Sequence, residues 1–257
     1  GESGRRGDSI TILGIRVDDV TYAETLDLIA SYIATRAPRQ IATINPEFIM
    51  AAQEDEEFRE ILDRSALNLP DGIGVVWAAR RLGRPLRARV AGSDLVGLIA
   101  ERASREGWTV FLLGAAKGVA RSAADVLSSR YPGFSCADAY SGSPRAEEEA
   151  AIVERIRAAR PDVLLVAYGA PAQDKWIARN LAKLSVPVCM GVGGAFDFIA
   201  GVTRRAPPWL QRLGLEWLYR LIRQPWRWRR MLALPRLVWR VWTSTATSSP
   251  APPVQRS

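Results

Sequence analysis

The amino-acid sequence predicts an α/β fold, a mainly parallel sheet with helices on both faces, followed by a helical C-terminal appendage. Short, almost continuously apolar segments alternate with amphipathic ones along most of the chain, which is typical of buried parallel strands connected by helices. Several apolar segments end in glycine just before a helix begins. From Ala206 onward the sequence is dominated by tryptophan, arginine and leucine, and this change sets the appendage apart from the core.

The first part of the core contains a strand or small hairpin and two strand–helix units. ITILGIRVDDV forms the hairpin, and Thr21 and Glu24 have capping-box spacing for a helix that runs to about Arg36. QIATIN is a strand that ends at Asn45, and Pro46 suits the first position of a helix. ALNLP predicts the next strand and GIGVVWAARRLG the helix after it.

The second part of the core alternates regularly between strands and helices. The predicted strands are WTVFLLG, FSCADAY, DVLLVAYG and PVCMGVG, and the helices between them are GVARSAADVLSSRY, RAEEEAAIVERIRAAR and AQDKWIARNLAKL. These patterns predict a Rossmann-like core at 10–203, an appendage at 204–242, and disordered ends at 1–9 and 243–257.

Composition excludes several kinds of site. The 257 residues suit one large domain, or one domain with an appendage, and they contain no histidine. Ser-His-Asp and Cys-His nucleophiles and histidine-ligated metals are therefore excluded, and acid–base chemistry falls to other side chains. Cys136 and Cys189 show neither metal-ligand spacing nor a disulfide framework, which suits a reducing cytoplasm. Neither a signal peptide nor an 18-residue apolar run is visible.

The net charge of +8 is concentrated in one segment. Residues 204–240 contain ten arginines and one acid, Glu216, whereas residues 1–203 are close to neutral. This segment predicts two or three helices separated near Pro225 and Pro235. The six tryptophans between residues 206 and 242, and the arginines among them, fit nucleic-acid binding, core packing with a basic outer face, or docking on an anionic membrane. Membrane docking fits best, because both residue types are abundant and no spanning segment is present.

Polar residues and glycines gather where the predicted strands end. They are Thr43, Asn45, Asp71, Gly114, Gln173 and Gly193. Four of them have a local structural alternative: Asn45 and Asp71 suit helix caps, Gly114 suits a structural turn, and an isolated Gln173 is expected to be exposed. Asp197 equally suits an acid in the first turn of a helix. Because the carboxyl ends of parallel strands meet at one edge, the set nevertheless predicts a crevice with Asp71 as its one plausible base.

The chain resembles the WecG/TagA/CpsF family, glycosyltransferase family 26, from about Ile10 to Arg230. The resemblance rests on an ordered set of motifs: TINPE, LPDGIG, RVAGSDL, FLLGA, YGAPAQDKW, GVGGAFDFIAG, RRAPPW, GLEWLYRL and QPWRWRR. It implies metal-independent, inverting transfer of an N-acetylmannosamine-type sugar from a UDP-sugar to a polyprenyl-diphosphate-linked GlcNAc in cell-surface polysaccharide or teichoic acid synthesis. The UDP-sugar is a substrate, so no cofactor and no metal ion are expected.

The resemblance also implies roles for individual residues. Asp71 matches the candidate base, and Thr43, Asn45, Arg89 and Gln173 match the other catalytic positions. The expected substrate-binding residues are Gly72, Gly92, Gly114, Gly169, Gly193, Gly194, Asp197, Arg204, Arg205, Arg220, Arg227 and Arg230. The family's usual GxPKQE is GAPAQDKW here, so Ala172 and Asp174 depart from the pattern.

The predicted protein is a peripheral enzyme on the inner face of the bacterial cell membrane, with the appendage on anionic lipid and no nucleic-acid partner. Truncation after about Val202 is expected to weaken membrane binding while the core stays folded. Alternatives are a glucosyltransferase of the same family, a nucleotide-binding oxidoreductase, which the missing G-x-G-x-x-G disfavours, and a nucleic-acid-binding module. The oligomeric state stays open, a homo-oligomer included.

Overall fold

The computed structural model describes residues 8–223, 225 and 228–246. Its strands are β1 Ser9–Ile12, β2 Ile15–Asp18, β3 Arg39–Ile44, β4 Leu67–Pro70, β5 Thr109–Gly114, β6 Ser135–Tyr140, β7 Val163–Ala167 and β8 Val188–Gly191. Strands β3 to β8 form one parallel sheet in the order β4-β3-β8-β7-β5-β6, and β1 and β2 pair as a separate antiparallel hairpin. The predicted α/β fold and its helical C-terminal region are confirmed.

Helices cover both faces of this sheet. They are α1 Tyr22–Thr35, α2 Pro46–Ala51, α3 Glu56–Arg64, α4 Ile73–Arg81, α5 Gly92–Glu106, α6 Val119–Arg130, α7 Ala146–Ala159, α8 Ala172–Leu184, α9 Ala195–Ile199, α10 Pro208–Arg212, α11 Glu216–Arg223, α12 Trp228–Met231 and α13 Ala233–Ala246. The capping box predicted at Thr21 and Glu24 is present at the start of α1. Among the described residues, no helix has the length and apolar character needed to cross a bilayer.

The sheet is buried on both faces because its strands are apolar at almost every position. In β5, Val110 and Leu112 belong to one core cluster, whereas Phe111 and Leu113 belong to the cluster on the opposite face. Successive side chains of a strand point to opposite faces, so a continuously apolar strand is expected between two layers of helices. The polar residues that follow β3 and β4 lie at the carboxyl edge of this buried sheet.

The C-terminal helices differ from the prediction in number. In the described part of the chain, four helices follow residue 204, and the segment between α11 and α12 contains Pro225, as expected. The break between α12 and α13, at Leu232, lies near Pro235, also as expected, and Pro235 itself lies in the first turn of α13. Proline is tolerated there because the N–H groups in the first turn of a helix have no acceptor within the helix, so a residue without an N–H loses no helical hydrogen bond.

Helix α13 joins the core of the protein. Ala233, Leu237 and Val241 are buried, and they pack in one cluster with residues of α2 and α4. Their spacing of four residues places them on one face of the helix. The helix continues to Ala246, four residues beyond the predicted end of the appendage.

Candidate active site

Asp71 and Asn45 lie side by side at the carboxyl ends of adjacent strands. Ile44 is paired with Pro70 at the last register position of β3 and β4, and each polar residue follows directly. The backbone N–H of Asp71 donates to the carbonyl oxygen of Ile44 at 2.8 Å. The predicted meeting of these two residues at one edge of the sheet is confirmed.

The carboxylate of Asp71 faces α5 and does not cap α4. Its Oδ2 accepts a hydrogen bond from the N–H of Gly92, the first residue of α5, at 3.3 Å. The N-cap of α4 is Gly72, which adopts φ 99° and provides no side-chain cap. The reading of Asp71 as a cap of the following helix is therefore wrong. The carboxylate instead lies at the N-terminus of the 15-residue α5, where the backbone N–H groups carry partial positive charge.

Asn45 has both roles that the sequence allowed. Its side chain accepts from the N–H of Phe48 at 3.0 Å and so caps α2, and it also lines the cavities described below. Thr43, two residues earlier on β3, is buried. A Cβ added to Gly92 would lie 3.0 Å from Thr43 Cγ2, so the glycine lets α5 approach the strand end closely.

Gln173 is buried and holds two glycine turns together, which corrects the expectation that it is exposed. It is only 2% accessible, and its Oε1 accepts from the N–H groups of Gly169 at 3.1 Å and Gly193 at 3.0 Å. Its amide packs on Gly191, where an added Cβ would lie 2.6 Å from Nε2. An isolated glutamine gives no sign of these partners, because the turns that they belong to are 4 and 20 residues away.

Asp174, beside Gln173, is an unusual buried acid. It has no accessible surface, and within the described residues neither carboxyl oxygen has a hydrogen-bond partner. Burial raises the pKa of its carboxyl to about 7. Glutamate, the residue of the usual family pattern, is one methylene longer than aspartate and would have to fit that group into this closed space.

Two cavities meet at Asp71. The larger, of about 330 Å³, lies over the glycine turns and is lined by Thr43, Gly92, Gly169, Gln173, Gly193, Gly194 and Asp197. The smaller, of about 170 Å³, lies under the C-terminal helices and is lined by Gly72, Ile73, Arg89, Trp217, Met231 and Leu234. We call them the glycine cavity and the appendage cavity. The residues lining both are Asn45, Glu47, Asp71, Ser93 and Arg230.

Arg89 forms an ion pair with the appendage. Its Nη2 lies 3.3 Å from Oε2 of Glu216, whose Oε1 lies 3.6 Å from Nε of Arg205. Arg205 in turn binds Asp94 on α5 through two hydrogen bonds. Burial by itself would raise the pKa of Asp94, but the hydrogen bond and charge of Arg205 outweigh it and hold this pKa below its usual range.

Tyr22 fixes the backbone next to Arg89. Its hydroxyl accepts from the N–H of Ala91 at 2.9 Å and lies 3.3 Å from Oδ2 of Asp94. Burial raises the pKa of Tyr22 to about 12, so the phenol stays protonated and can donate to Asp94. The segment that contains Arg89 is therefore tied to both α1 and α5.

Some residues expected to bind substrate do not line either cavity. Gly114 packs on the backbone of Ala167, where an added Cβ would lie 2.8 Å from the carbonyl carbon, so its role here is structural. Arg204 is exposed, and Arg205 lies behind the appendage cavity in the ion-pair network. The side chain of Arg220 and the whole of Arg227 lie outside the described residues.

Several residues that line the cavities were not predicted as site residues. Glu47 and Ser93 line both, and Glu216 and Trp217 line the appendage cavity. Glu47 lies within TINPE, and Glu216 is the one acid among residues 204–240, so the signals were present in the sequence. In the part of the chain that is described, no group of three or more Cys, Asp and Glu residues is placed to hold a metal ion.

The start of α13 packs against the start of α4, a few residues after Asp71. A Cβ added to Gly74 would lie 2.6 Å from Leu234 Cδ1 and 2.7 Å from Pro46 Cγ. Real Cβ atoms do not approach other atoms this closely, so only glycine allows α2, α4 and α13 to meet here.

Comparison with known proteins identifies the family of this chain. Residues 10–250 match the glycosyl transferase WecG/TagA/CpsF family. Two relatives, from Bacillus subtilis (strain 168) and Staphylococcus aureus (strain MW2), are named N-acetylglucosaminyldiphosphoundecaprenol N-acetyl-beta-D-mannosaminyltransferase. The first is 38% identical over 80% of this chain and 79% of the relative, and the second 32% over 90% and 91%. The chain belongs to the WecG/TagA/CpsF family of glycosyl transferases.

Proposed function

We propose that this protein transfers an N-acetylmannosamine-type sugar from a UDP-sugar to a polyprenyl-diphosphate-linked GlcNAc, with inversion at the anomeric carbon. The observation that carries the proposal is the position of Asp71, which lines both cavities. A transferase needs two substrates to meet at one base, and this carboxylate lies where the two cavities join. The names of the relatives support the acceptor and the transferred sugar.

In this proposal the donor binds in the glycine cavity and the acceptor in the appendage cavity. The glycine cavity is the more polar, and its turns at Gly169 and Gly193 leave open space beside their α-carbons for a nucleotide. Ile73, Trp217, Met231 and Leu234 give the appendage cavity an apolar side for the start of a lipid chain. Arg89 is on the same side, where it can neutralise a diphosphate.

The reaction follows from this arrangement. The acceptor hydroxyl attacks the anomeric carbon from the face opposite to the UDP, and Asp71 takes the hydroxyl proton as the new bond forms. The bond to UDP breaks, and the nucleotide leaves with the electron pair as an anion. Arg230 lines both cavities and can stabilise the charge that develops on the leaving diphosphate. The product carries a β-linkage, since attack inverts the α-configured donor.

A transfer assay tests the reaction. The purified chain is incubated with a short-chain lipid-diphosphate-linked GlcNAc and, separately, with UDP-N-acetylmannosamine, UDP-N-acetylmannosaminuronic acid or UDP-glucose. We expect mass spectrometry to show the acceptor gaining one N-acetylmannosamine residue, at the same rate in EDTA as in magnesium. Transfer of glucose alone would show that the donor is UDP-glucose. A strict requirement for magnesium would rule out the metal-independent mechanism. No transfer from any of the three donors would overturn the proposal.

We further propose that the C-terminal helices dock the enzyme on the anionic inner face of the cell membrane. Ten of the eleven exposed large hydrophobic side chains in the described residues lie between Val202 and Trp242, and they include Trp209, Ile222 and Trp239. Arginines such as Arg212 and Arg223 are exposed among them. Exposed apolar and basic groups in one region match the chemistry of an anionic lipid surface.

Removing appendage charges is expected to weaken binding to anionic vesicles. Each basic residue near such a surface contributes about 1 kcal/mol, so Arg212→Gln combined with Arg223→Gln should weaken binding roughly 30-fold. The measurement is co-sedimentation with phosphatidylglycerol-containing vesicles at fixed salt. Arg130→Gln combined with Arg160→Gln, at exposed positions of the core, is the matched control and should leave binding unchanged. Equal losses in both proteins would show that net charge, and not the appendage, determines binding.

A further inference from the structure

Glu216 is held between two arginines, and neither contact is close. Its Oε2 lies 3.3 Å from Arg89 Nη2 and its Oε1 lies 3.6 Å from Arg205 Nε. Charge-assisted N–H···O bonds normally span about 2.7–2.9 Å. Arg205 Nε is buried and makes no hydrogen bond to any described residue, although it is a strong donor. One carboxylate therefore bridges two guanidinium groups and satisfies neither fully.

The two arginines differ in what else they bind. Arg205 is held in place by Asp94, which accepts from both of its terminal nitrogens. Arg89 pairs with Glu216, and both residues line the appendage cavity. A ligand anion entering this cavity would thus meet Arg89 already covered by a carboxylate of the protein itself.

We infer that Glu216 occupies the position of a substrate phosphate on Arg89 and moves fully onto Arg205 when the acceptor diphosphate binds. This inference rests on the proposed function, because it assigns the diphosphate of the lipid-linked acceptor to the appendage cavity. A phosphate offers more negative charge and more acceptor oxygens than a carboxylate, and a planar guanidinium binds it in a bidentate manner. Arg205 Nε offers Glu216 a hydrogen bond that is not made in this structure.

The exchange would keep the appendage attached while the site opens to substrate. Glu216 begins α11, whereas Arg89 and Asp94 belong to the core, so the Glu216 contacts connect the two parts. After the exchange, Glu216 and Arg205 still pair, and Asp94 still holds Arg205. Glu216 is thus a positioning residue that lowers the affinity of Arg89 for unproductive anions and releases Arg89 to the acceptor diphosphate.

The test is the affinity for geranyl diphosphate, a diphosphate with a short apolar chain, measured by calorimetry with UDP present to occupy the glycine cavity. If Glu216 competes for Arg89, Glu216→Gln should tighten binding about three- to tenfold, since the variant removes one partly exposed ion pair that the ligand must replace. If Glu216 only supports the fold of the appendage, the same variant should weaken binding. The sign of the change separates the two roles.

Two further variants identify the cause. Glu54→Gln is the matched control, because Glu54 also joins the core to the appendage, through Arg236 at 2.8 Å, but lies away from Arg89. It should leave the affinity unchanged. In an Arg89→Ala background, Glu216→Gln should no longer tighten binding, which is the coupling that a double-mutant cycle detects. Tightening that persists without Arg89, or that also occurs in Glu54→Gln, would overturn the inference.

The experiment remains decisive if one variant is unstable. Thermal unfolding is measured first, and Glu216→Asp serves as a second variant, because it withdraws the carboxylate from Arg89 by one methylene and keeps the charge. It should tighten binding by a smaller factor, and weaker binding would contradict the exchange. These are binding measurements, so normal sugar transfer combined with an unchanged or weaker affinity would remove the role of Glu216 and leave the proposed reaction intact.

Discussion

Replacing Asp71 with asparagine is expected to lower kcat for sugar transfer by about 10²- to 10⁴-fold, the usual contribution of a general base. Asparagine keeps the size of the side chain and an oxygen that can accept from the N–H of Gly92, so the turn should hold its shape. It cannot accept the proton of the attacking hydroxyl. The affinity for UDP should stay close to that of the wild type, and a transfer assay with titrated UDP binding separates the two effects.

Two comparisons make this result specific. Asp63→Asn changes an exposed aspartate on α3 and should transfer sugar at the wild-type rate. Glu47→Gln tests the other carboxyl group that lines both cavities. A large loss in Glu47→Gln with near-normal turnover in Asp71→Asn would make Glu47 the base.

Replacing Leu237 with alanine is expected to destabilise the whole protein by about 2–5 kcal/mol, the range for a buried leucine. Leu237 has no accessible surface and packs with α2 and α4, so its loss leaves a cavity inside the core. For a chain of this size the change should lower Tm by roughly 5–15 °C in a calorimetric scan. Leu232→Ala is the control, because Leu232 is 45% exposed, and it should change Tm by no more than a few degrees.

The same packing corrects the expectation for a truncated chain. A chain that ends at Val202 would lack Ala233, Leu237 and Val241 and would expose the apolar residues of α2 and α4 beneath them. We therefore expect truncation to destabilise the core, so that lost vesicle binding would not by itself identify a membrane surface. Single substitutions of exposed appendage residues avoid this difficulty.

The local parts of the site could be predicted from the sequence. Strand ends, the proline that begins α2, and the cap provided by Asn45 depend on neighbouring residues, and the structure confirms them. The alternation of apolar and amphipathic segments also predicted the parallel sheet, which the structure confirms. Asp71 was correctly placed at a strand end for the same reason.

The remaining features depend on contacts between distant segments. Nothing near Asp71 indicates that its carboxylate binds α5, because Gly92 is 21 residues away. Gln173 was misjudged because its two partner turns come together only in the folded sheet. The burial of α13 could have been predicted, because Ala233, Leu237 and Val241 are regularly spaced. The tryptophan and arginines between them suggested a surface helix instead.

The contact at Gly74 limits how the parts of this protein can be exchanged among relatives. Leu234, on a helix at the C-terminal end, and Pro46, beside the first polar strand end, both touch the space where a side chain at 74 would be. In a chimera that takes its C-terminal helices from a relative, the relative's residue at the Leu234 position must therefore fit against Pro46 and Gly74. If it does not, the graft will displace the turn that holds Asp71, even though the two segments are more than 150 residues apart in the chain.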